Sequence, residues 1–325
     1  MQNTTGNLIE QIITADALEG LSQLDNHTAD TCITSPPYFN LRDYGVSGQI
    51  GLESTTEEYI ARLVAVFREV RRVIRDDGTL WIVIGDSYAG SGKRGGGDPT
   101  VGERKIGDNG YPAKVTPSDC KKGDLIGIPW ILAFALRSDG WYLRSDIIWH
   151  KPNPMPESVD SRPTKAHEYI FLLSKSSTYY YNHTAIMEPT VCTRLRDFTD
   201  SGRDKQRGHG RRHSGFNGRY TEKLAVEGVP TRKNKRSVWT VPTKPYPEAH
   251  FATFPPELIR PCVLAGCRPG GVIIDPFFGA GTTGLVALQE GRGYIGIDIN
   301  PEYVALAEKR LGKERAKGRQ MRLET

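Results

Sequence analysis

The sequence predicts an α/β fold built on one doubly wound, mostly parallel sheet. Seven short apolar runs have the length and composition of strands, and helical patterns lie between them. Strands that alternate with helices favour a parallel sheet whose crossovers are right-handed. The predicted strands are residues 10–14, 31–34, 79–84, 144–149, 168–174, 271–275 and 293–298.

The clearest helical pattern follows the second predicted strand. Apolar residues recur at helical spacing between Tyr59 and Ile74, and Thr55-Thr-Glu-Glu58 forms a capping box that predicts the start of the helix. Gly78 is predicted to follow the end of this helix. A last helix is expected to begin at Asn300-Pro301 and to end at Gly312.

A glycine-rich turn follows the apolar run at residues 272–274. Gly279, Gly281 and Gly284 are spaced as G-x-G-x-x-G, and Asp298 lies 19 residues after the first glycine, at the end of the next apolar run. This spacing predicts a βαβ unit whose carboxylate binds the ribose of an adenosine-containing ligand. A phosphate-binding Walker A loop is excluded because no lysine follows the glycines.

Asp275-Pro276 between the strand and the turn bears on the choice of ligand. A carboxylate beside a diphosphate raises the cost of binding an anion, whereas it suits a cationic ligand. S-adenosylmethionine, with its sulfonium and ammonium groups, therefore fits this turn better than NAD does. An NAD oxidoreductase and a glycine-rich turn without a ligand remain as alternatives.

A second string, Thr34-Ser35-Pro36-Pro37-Tyr38, follows a predicted buried strand. Its two prolines remove N–H donors and hold the backbone extended, so that carbonyl groups point into a cleft. The Ser35 hydroxyl and the Pro36 carbonyl are expected to accept hydrogen bonds from an exocyclic amine, which aims the nitrogen lone pair. Tyr38 is expected to stack on the base ring. By itself the string is more typical of a surface proline turn.

Together the two strings resemble the amino-methyltransferases of DNA, in the permuted group whose catalytic half precedes the S-adenosylmethionine half. Stretches 89–124 and 188–245 lie outside the resemblance. The matching segments are Thr14-Ala-Asp16, Thr34-Ser-Pro-Pro-Tyr38, Thr79-Leu-Trp-Ile-Val-Ile-Gly-Asp86, Asp146-Ile-Ile-Trp-His-Lys-Pro-Asn-Pro154, Arg162-Pro-Thr-Lys-Ala-His-Glu-Tyr169, His250-Phe-Ala-Thr-Phe-Pro255 and Asp275-Pro-Phe-Phe-Gly-Ala-Gly-Thr-Thr-Gly284.

The resemblance implies a Rossmann-like S-adenosylmethionine-dependent methyltransferase fold with a circularly permuted motif order and an inserted target-recognition region. Ser35, Pro36, Pro37 and Tyr38 would be the catalytic residues, and a flipped base would enter their pocket. The implied cofactor-binding residues are Asp16, Ala252, Thr253, Phe254, Asp275, Pro276, Phe277, Gly279, Gly281, Thr282, Thr283, Asp298 and Asn300.

Two features of the sequence bear on the target base. A serine in the catalytic tetrapeptide is usual among the cytosine N4 enzymes of this family, whereas the adenine N6 enzymes more often carry Asp or Asn there. Adenine-type members also often have Lys-Pro where this chain has Phe254-Pro255. The implied target is therefore cytosine N4, and adenine N6 remains open.

The positive charge is concentrated between the two strings. Residues 191–236 contain 13 Lys and Arg against 5 Asp and Glu, whereas the whole chain has a net charge of only +5. Such a block is typical of a surface that binds a polyanion, here double-stranded DNA, although a solvated loop without a function would look similar. The predicted DNA-binding residues are Lys93, Arg94, Lys151, Arg203, Arg207, Arg211, Arg212, Arg232, Lys233, Lys235 and Arg236.

These observations predict three regions. Residues 1–187 form the catalytic half of a methyltransferase domain, residues 188–245 form a basic target-recognition insertion, and residues 246–325 form the cofactor-binding half. The glycine-rich stretch 89–124 is expected to be a mobile loop that orders over DNA or cofactor, although a plain surface loop would have the same composition.

The composition excludes several other classes. Five cysteines without a C-x-x-C pair indicate neither a disulfide framework nor a zinc site, so no metal is expected. The polar start of the chain and the lack of an apolar run of 18 residues predict a cytoplasmic protein without a membrane span. A partner restriction endonuclease, the oligomeric state (monomer or homodimer), methylation of RNA or protein glutamine, and a non-catalytic DNA-binding protein all remain open.

Overall fold

The computed structural model describes residues 8–90, 116–117, 119–190, 231–244 and 254–323. The chain divides into two compact units. The larger unit comprises Met1–Asn182 and Ser237–Thr325, and the smaller comprises His183–Arg236. The predicted boundaries at residues 187 and 245 lie near this division, and the separate functions of the three predicted regions stay a prediction.

The larger unit is built on one eight-stranded sheet. Its strands are β1 (Glu10–Thr14), β2 (Ala29–Thr34), β3 (Ile74–Ile84), β4 (Tyr142–His150), β5 (His167–Ser174), β8 (Val238–Thr240), β9 (Val272–Asp275) and β10 (Gly293–Asp298). In the smaller unit, β6 (Glu188–Pro189) and β7 (Arg232–Lys233) form an antiparallel pair.

The order of the strands across the large sheet is β1-β10-β9-β2-β3-β5-β4-β8. β5 is antiparallel to its neighbours β3 and β4, and the other pairs are parallel. The predicted doubly wound, mostly parallel sheet is therefore confirmed, as is the α/β Rossmann-like class. β9 and β10, which come last in the chain, lie between β1 and β2.

Helices cover both faces of this sheet. They are α1 (Ala17–Ser22), α2 (Thr56–Val73), α3 (Ile128–Ser138), α4 (Pro256–Gly266), α5 (Thr282–Gln289) and α6 (Pro301–Leu323). Along β3, Leu80 and Ile82 belong to the core with α2 and α3, whereas Thr79 and Trp81 approach Gly266 of α4. Successive side chains of a strand point to opposite faces, so the two sets of helices lie on opposite sides.

Two predicted helix ends were wrong. α2 begins where its capping box predicts, with the Thr55 side chain accepting from the Glu58 N–H at 3.2 Å, but it ends at Val73. The chain passes directly into β3, which contains Gly78. α6 continues through Gly312 to Leu323, because a glycine inside a helix costs only about 1 kcal/mol and the residues after it are good helix formers.

No helix in the described ranges is both long enough and apolar enough to cross a membrane.

Candidate active site

The two sequence strings meet at one edge of the sheet. β2 and β9 are parallel neighbours, with Thr31 opposite Ile273 and Cys32 opposite Ile274, so the strings begin at adjacent strand ends. The Thr34 hydroxyl donates to Asp275 Oδ1 at 2.6 Å, although the two residues are 241 positions apart. The structure therefore brings the two strings to one site.

Asp275 is the centre of this junction. Its side chain is 1% exposed, and it also accepts hydrogen bonds from the Thr283 hydroxyl at 2.7 Å and from the Phe277 N–H at 3.0 Å. Burial raises the Asp275 pKa to about 6, against the opposing effect of these hydrogen bonds and of the one from Thr34. Because protein groups surround the carboxylate, it holds the strand ends together.

Asp298 ends the adjacent strand β10 and lies beside the glycine turn. It accepts from the Gly279 N–H at 2.7 Å and from the Asn300 N–H at 2.9 Å. Burial raises the pKa of Asp298, and the two backbone hydrogen bonds oppose that rise. Gly279 has φ 51°, and a side chain there would meet no protein atom within 4 Å. The backbone of the turn is thus open to a ligand next to the carboxylate.

Two tyrosines that the sequence analysis missed flank Asp298. The rings of Tyr44 and Tyr303 meet edge to face, with centroids 6.2 Å apart. Burial raises the pKa of both phenols, and the charge of Asp298 raises them further. Tyr44 precedes α2 and Tyr303 lies in α6, so no local sequence pattern signals their pairing.

Several of the predicted cofactor residues have structural contacts. Asp16 is the N-cap of α1, where its side chain accepts from the Leu18 N–H at 2.9 Å. The buried Asn300 side chain accepts from the Glu302 N–H at 2.9 Å, at the start of α6. The Thr282 hydroxyl accepts from Arg310 at 2.9 Å. Asp16 is half-buried and comes two residues after Thr14, which pairs with Asp298. Asp16 therefore lies near the carboxyl ends of β1 and β10.

The close packing of the glycine turn depends on Phe278, which the sequence analysis did not identify. A Cβ atom at Gly296 would lie 2.3 Å from the Phe278 ring, and one at Gly284 would lie 2.7 Å from it. Gly281 has φ 73°, and a Cβ atom there would lie 3.0 Å from Ala307. The glycines therefore admit an aromatic ring between β10 and α5. Of the remaining residues of this turn, Pro276 is buried and Phe277 is half-buried.

The four predicted catalytic residues line the start of the loop after β2. Pro36 is buried, and Ser35, Pro37 and Tyr38 are half-buried. The Pro37 carbonyl accepts from the Tyr59 hydroxyl of α2 at 2.8 Å, which anchors the loop to the core. The Tyr38 hydroxyl donates to Glu168 Oε2 at 2.7 Å.

Among the predicted DNA-binding residues, Lys151 forms an ion pair with Glu168, and both side chains are largely buried. In the smaller unit, Glu188 pairs with Lys233 at 3.4 Å and with Arg236 at 2.5 Å. Arg232 donates to the Met187 carbonyl at 2.8 Å, and Lys235 is also described.

Other predicted residues lie outside the described ranges. They are Lys93, Arg94, Arg203, Arg207, Arg211, Arg212, Ala252 and Thr253. Phe254 is described as half-buried, directly before α4. Most of the predicted loop 89–124 is also outside, but its ends are held together by hydrogen bonds from the Ala89 N–H to Asp124 and from the Gly123 N–H to Ala89, both of 2.8 Å. Among the described residues, no group of three or more His, Cys, Asp or Glu is arranged to hold a metal ion.

Comparisons with solved structures agree with the fold. PvuII DNA methyltransferase, described as cytosine-N4-specific, superposes with a TM-score of 0.59 at 17% identity, covering 93% of this chain and 89% of that one. The complex of M1.HpyAVI with SAM superposes with a TM-score of 0.52 at 17% identity, covering 93% and 100% of the two chains. At this level of identity the likeness supports the fold alone.

Sequence comparisons establish the family. A family model described as DNA methylase matches residues 29–309. The type II methyltransferase M.Cfr9I of Citrobacter freundii is 48% identical over 305 residues, which cover 92% of this chain and 86% of the relative. M.SmaI of Serratia marcescens is 46% identical, with 94% and 91% covered. The chain belongs to the N4 and N6 DNA methylase family and is an S-adenosylmethionine-dependent DNA methyltransferase.

Proposed function

We propose that the chain transfers a methyl group to N4 of cytosine at a specific site in double-stranded DNA. The observation that carries the site is the Thr34–Asp275 hydrogen bond, because it joins the loop for the base to the turn for the cofactor. The choice of cytosine rests on Ser35 in the catalytic string and on Phe254-Pro255 in place of Lys-Pro. Methylation of adenine N6 is the alternative within the same reaction class.

The residues at the ends of β1, β9 and β10 fit S-adenosylmethionine. Asp298 would bind the ribose hydroxyls and Asp16 the adenine amine, and both carboxylates accept hydrogen bonds. The open backbone at Gly279 would let the ligand approach the turn closely. When bound, S-adenosylmethionine supplies a methyl group on a positively charged sulfur. The nearby Asp275 carboxylate favours such a cation through its charge.

The loop after β2 would hold the target base. Flipping a base out of the duplex costs a few kcal/mol, which stacking against the Tyr38 ring offsets by about 1–3 kcal/mol. The Ser35 hydroxyl and the Pro36 carbonyl would accept the two amine hydrogens. The nitrogen lone pair is then aimed at the methyl carbon, and alignment is the main catalytic contribution that this transfer requires.

The basic segment 191–236 would bind the phosphate backbone and recognise the target sequence, as part of the proposed insertion 188–245. We assign the catalytic role to residues 1–187 and cofactor binding to residues 246–325. The type II names of the relatives support a cognate restriction endonuclease as a functional partner. The proposal includes a cytoplasmic location, where the enzyme would meet its DNA.

The product identifies the target. DNA methylated by the purified protein is digested to nucleosides and analysed by mass spectrometry, and N4-methyldeoxycytidine is the expected product. N6-methyldeoxyadenosine would overturn the assignment to cytosine, and no modified nucleoside with DNA from many sources would contradict the enzyme activity itself.

Two variants test the pocket. Ser35→Ala and Tyr38→Ala are expected to reduce methylation by on the order of 100-fold or more, because alignment of the amine is lost. Their affinity for DNA at fixed salt should stay close to wild type, since the phosphate contacts are elsewhere. Wild-type methylation by both variants would refute the assignment of the pocket.

A further inference from the structure

A connected set of polar side chains leads away from the proposed base pocket. The Tyr38 hydroxyl donates to Glu168 Oε2 at 2.7 Å, and Glu168 Oε1 is paired with the Lys151 ammonium. Three residues from three parts of the chain thus form one series, from Lys151 through Glu168 to Tyr38.

The strand register explains why Glu168 reaches the pocket. β5 lies between β3 and β4, with Tyr169 opposite Ile84 and Glu168 opposite Trp149. Gly85, the residue after β3, therefore lies beside Glu168. A Cβ atom at Gly85 would lie 2.7 Å from Tyr38 Cε2 and 3.1 Å from the Glu168 carboxyl carbon. The glycine leaves room for the ring and the carboxylate to meet across the end of β3.

The chemistry of these groups sets the direction of each hydrogen bond. An ionised carboxylate, here paired with an ammonium group, can only accept. The Tyr38 phenol must then donate its single hydrogen to Glu168. Burial raises the Tyr38 pKa well above the usual range, and Glu168 raises it further, so the phenol keeps this hydrogen at neutral pH.

The consequence appears at the Tyr38 ring. Its hydroxyl is held by Glu168, and Glu168 is held by Lys151, so the ring is anchored at the end away from the main chain. A ring that is already held loses less conformational freedom when a base stacks on it.

We propose that Glu168 is a positioning residue that holds the Tyr38 ring in place for stacking on the target base. This inference rests on the proposed role of Tyr38 in the base pocket. Glu168 itself does not touch the base. Lys151 holds the Glu168 carboxylate through their ion pair, and its contact with DNA stays a prediction.

Glu168→Gln tests the hydrogen bond from Tyr38, because a neutral amide is a weaker acceptor than a carboxylate and does not pair with Lys151 as an ion. Tyr38→Phe removes the hydroxyl but keeps the ring for stacking. Each variant should lower the single-turnover methylation rate by on the order of 10- to 100-fold. The affinities for DNA and for S-adenosylhomocysteine, and KM for DNA, should stay within about 2-fold of wild type, because only the aligned state is affected.

The double variant Glu168→Gln/Tyr38→Phe shows whether the two residues affect the rate through one contact or independently. If Glu168 acts through the Tyr38 hydroxyl, Glu168→Gln in the Tyr38→Phe background should lower the rate no further. Glu10→Gln is the matched control. Glu10 is likewise paired with a cation, Arg315, which contacts the Tyr294 hydroxyl at 2.5 Å, but it lies at the amino end of β1, the opposite edge of the sheet. Its rate should equal that of wild type.

Several outcomes would overturn the proposal. One is a wild-type methylation rate for Glu168→Gln or for Tyr38→Phe. Another is a double variant whose rate loss equals the product of the two single losses. A third is a changed KM for DNA with an unchanged single-turnover rate. If Glu168→Gln fails to fold, Tyr38→Phe alone decides, since the carboxylate is intact in that variant. Tyr38→Ala separates a failure of the proposed base pocket from a failure of the proposed role of Glu168. Full activity of Tyr38→Ala refutes the pocket itself. An inactive Tyr38→Ala together with a fully active Glu168→Gln refutes only the positioning role.

Discussion

Replacing Asp275 with asparagine should change how the stability of the protein depends on pH. The carboxyl group is 1% exposed, and its pKa is raised by burial to about 6. An unfolded aspartate has a pKa of about 3.9. The folded protein therefore binds a proton at Asp275 over a pH range in which the unfolded chain has released it.

The sign and size of the effect on the free energy of unfolding follow from this difference in pKa. A raised folded-state pKa gives stability that is present below about pH 4 and is lost as the pH rises through about 6. A difference of about two pKa units corresponds to about 3 kcal/mol. The amide of asparagine cannot ionise, so the Asp275→Asn variant lacks this dependence. The free energy of unfolding of wild type minus that of the variant should fall by up to about 3 kcal/mol between pH 4 and pH 7.

Urea unfolding followed by circular dichroism at a series of pH values measures this difference. Asp76→Asn is the control, because Asp76 is 82% exposed and its pKa is lowered, chiefly by a hydrogen bond with Lys175. The free energy of unfolding of wild type minus that of Asp76→Asn should rise or stay level as the pH increases from 3 to 5. A difference for Asp275→Asn that is flat or rises with pH would refute the argument from burial.

Three further predictions concern the cofactor turn and the DNA surface. Gly296→Ala should prevent stable folding or lower the melting temperature by several degrees, since its Cβ would lie 2.3 Å from the Phe278 ring; an unchanged melting temperature contradicts this packing. Asp298→Asn should weaken S-adenosylmethionine binding by about 10-fold or more in calorimetry, because a charged acceptor is lost; equal affinity counts against the ribose contact. Lys235→Ala should reduce the slope of log K for DNA against log salt concentration by about 1, because one phosphate contact is lost. Lys309→Ala in α6 is the control and should leave the slope unchanged. Equal slopes for the two variants would contradict the assignment of DNA binding to the basic segment.

Much of the sheet could be predicted from the sequence because its strands have clear sequence signals. Each predicted strand is a short apolar run next to a turn or helix signal, and each one appears in the structure within a few residues. The meeting of the two strings follows from a general property of parallel strands, whose carboxyl ends share one edge. β8 was not predicted, because three residues of Val238–Thr240 carry too little pattern.

The contacts within the site depend on register and could not be predicted. Asp275 suggested a group that faces a cationic ligand, but the hydroxyls of Thr34 and Thr283 occupy its oxygens. The pairing of Lys151 with Glu168 had no signal in the sequence, because it follows from the antiparallel alignment of β4 with β5. Sequence reasoning brought these side chains to one site, whereas their partners follow from how the strands align.

The position of β9 and β10 between β1 and β2 has a consequence for biosynthesis. β1 and β2 leave the ribosome early and are close in sequence, yet no hydrogen bonds can join them in the native sheet. Their inner edges stay unpaired until Val272–Asp298 has been made, and unpaired edges invite wrong pairing with other chains. The sheet can therefore close only after β9 and β10 have been synthesised, and the segment that closes the gap also carries the glycine turn to its place beside β2.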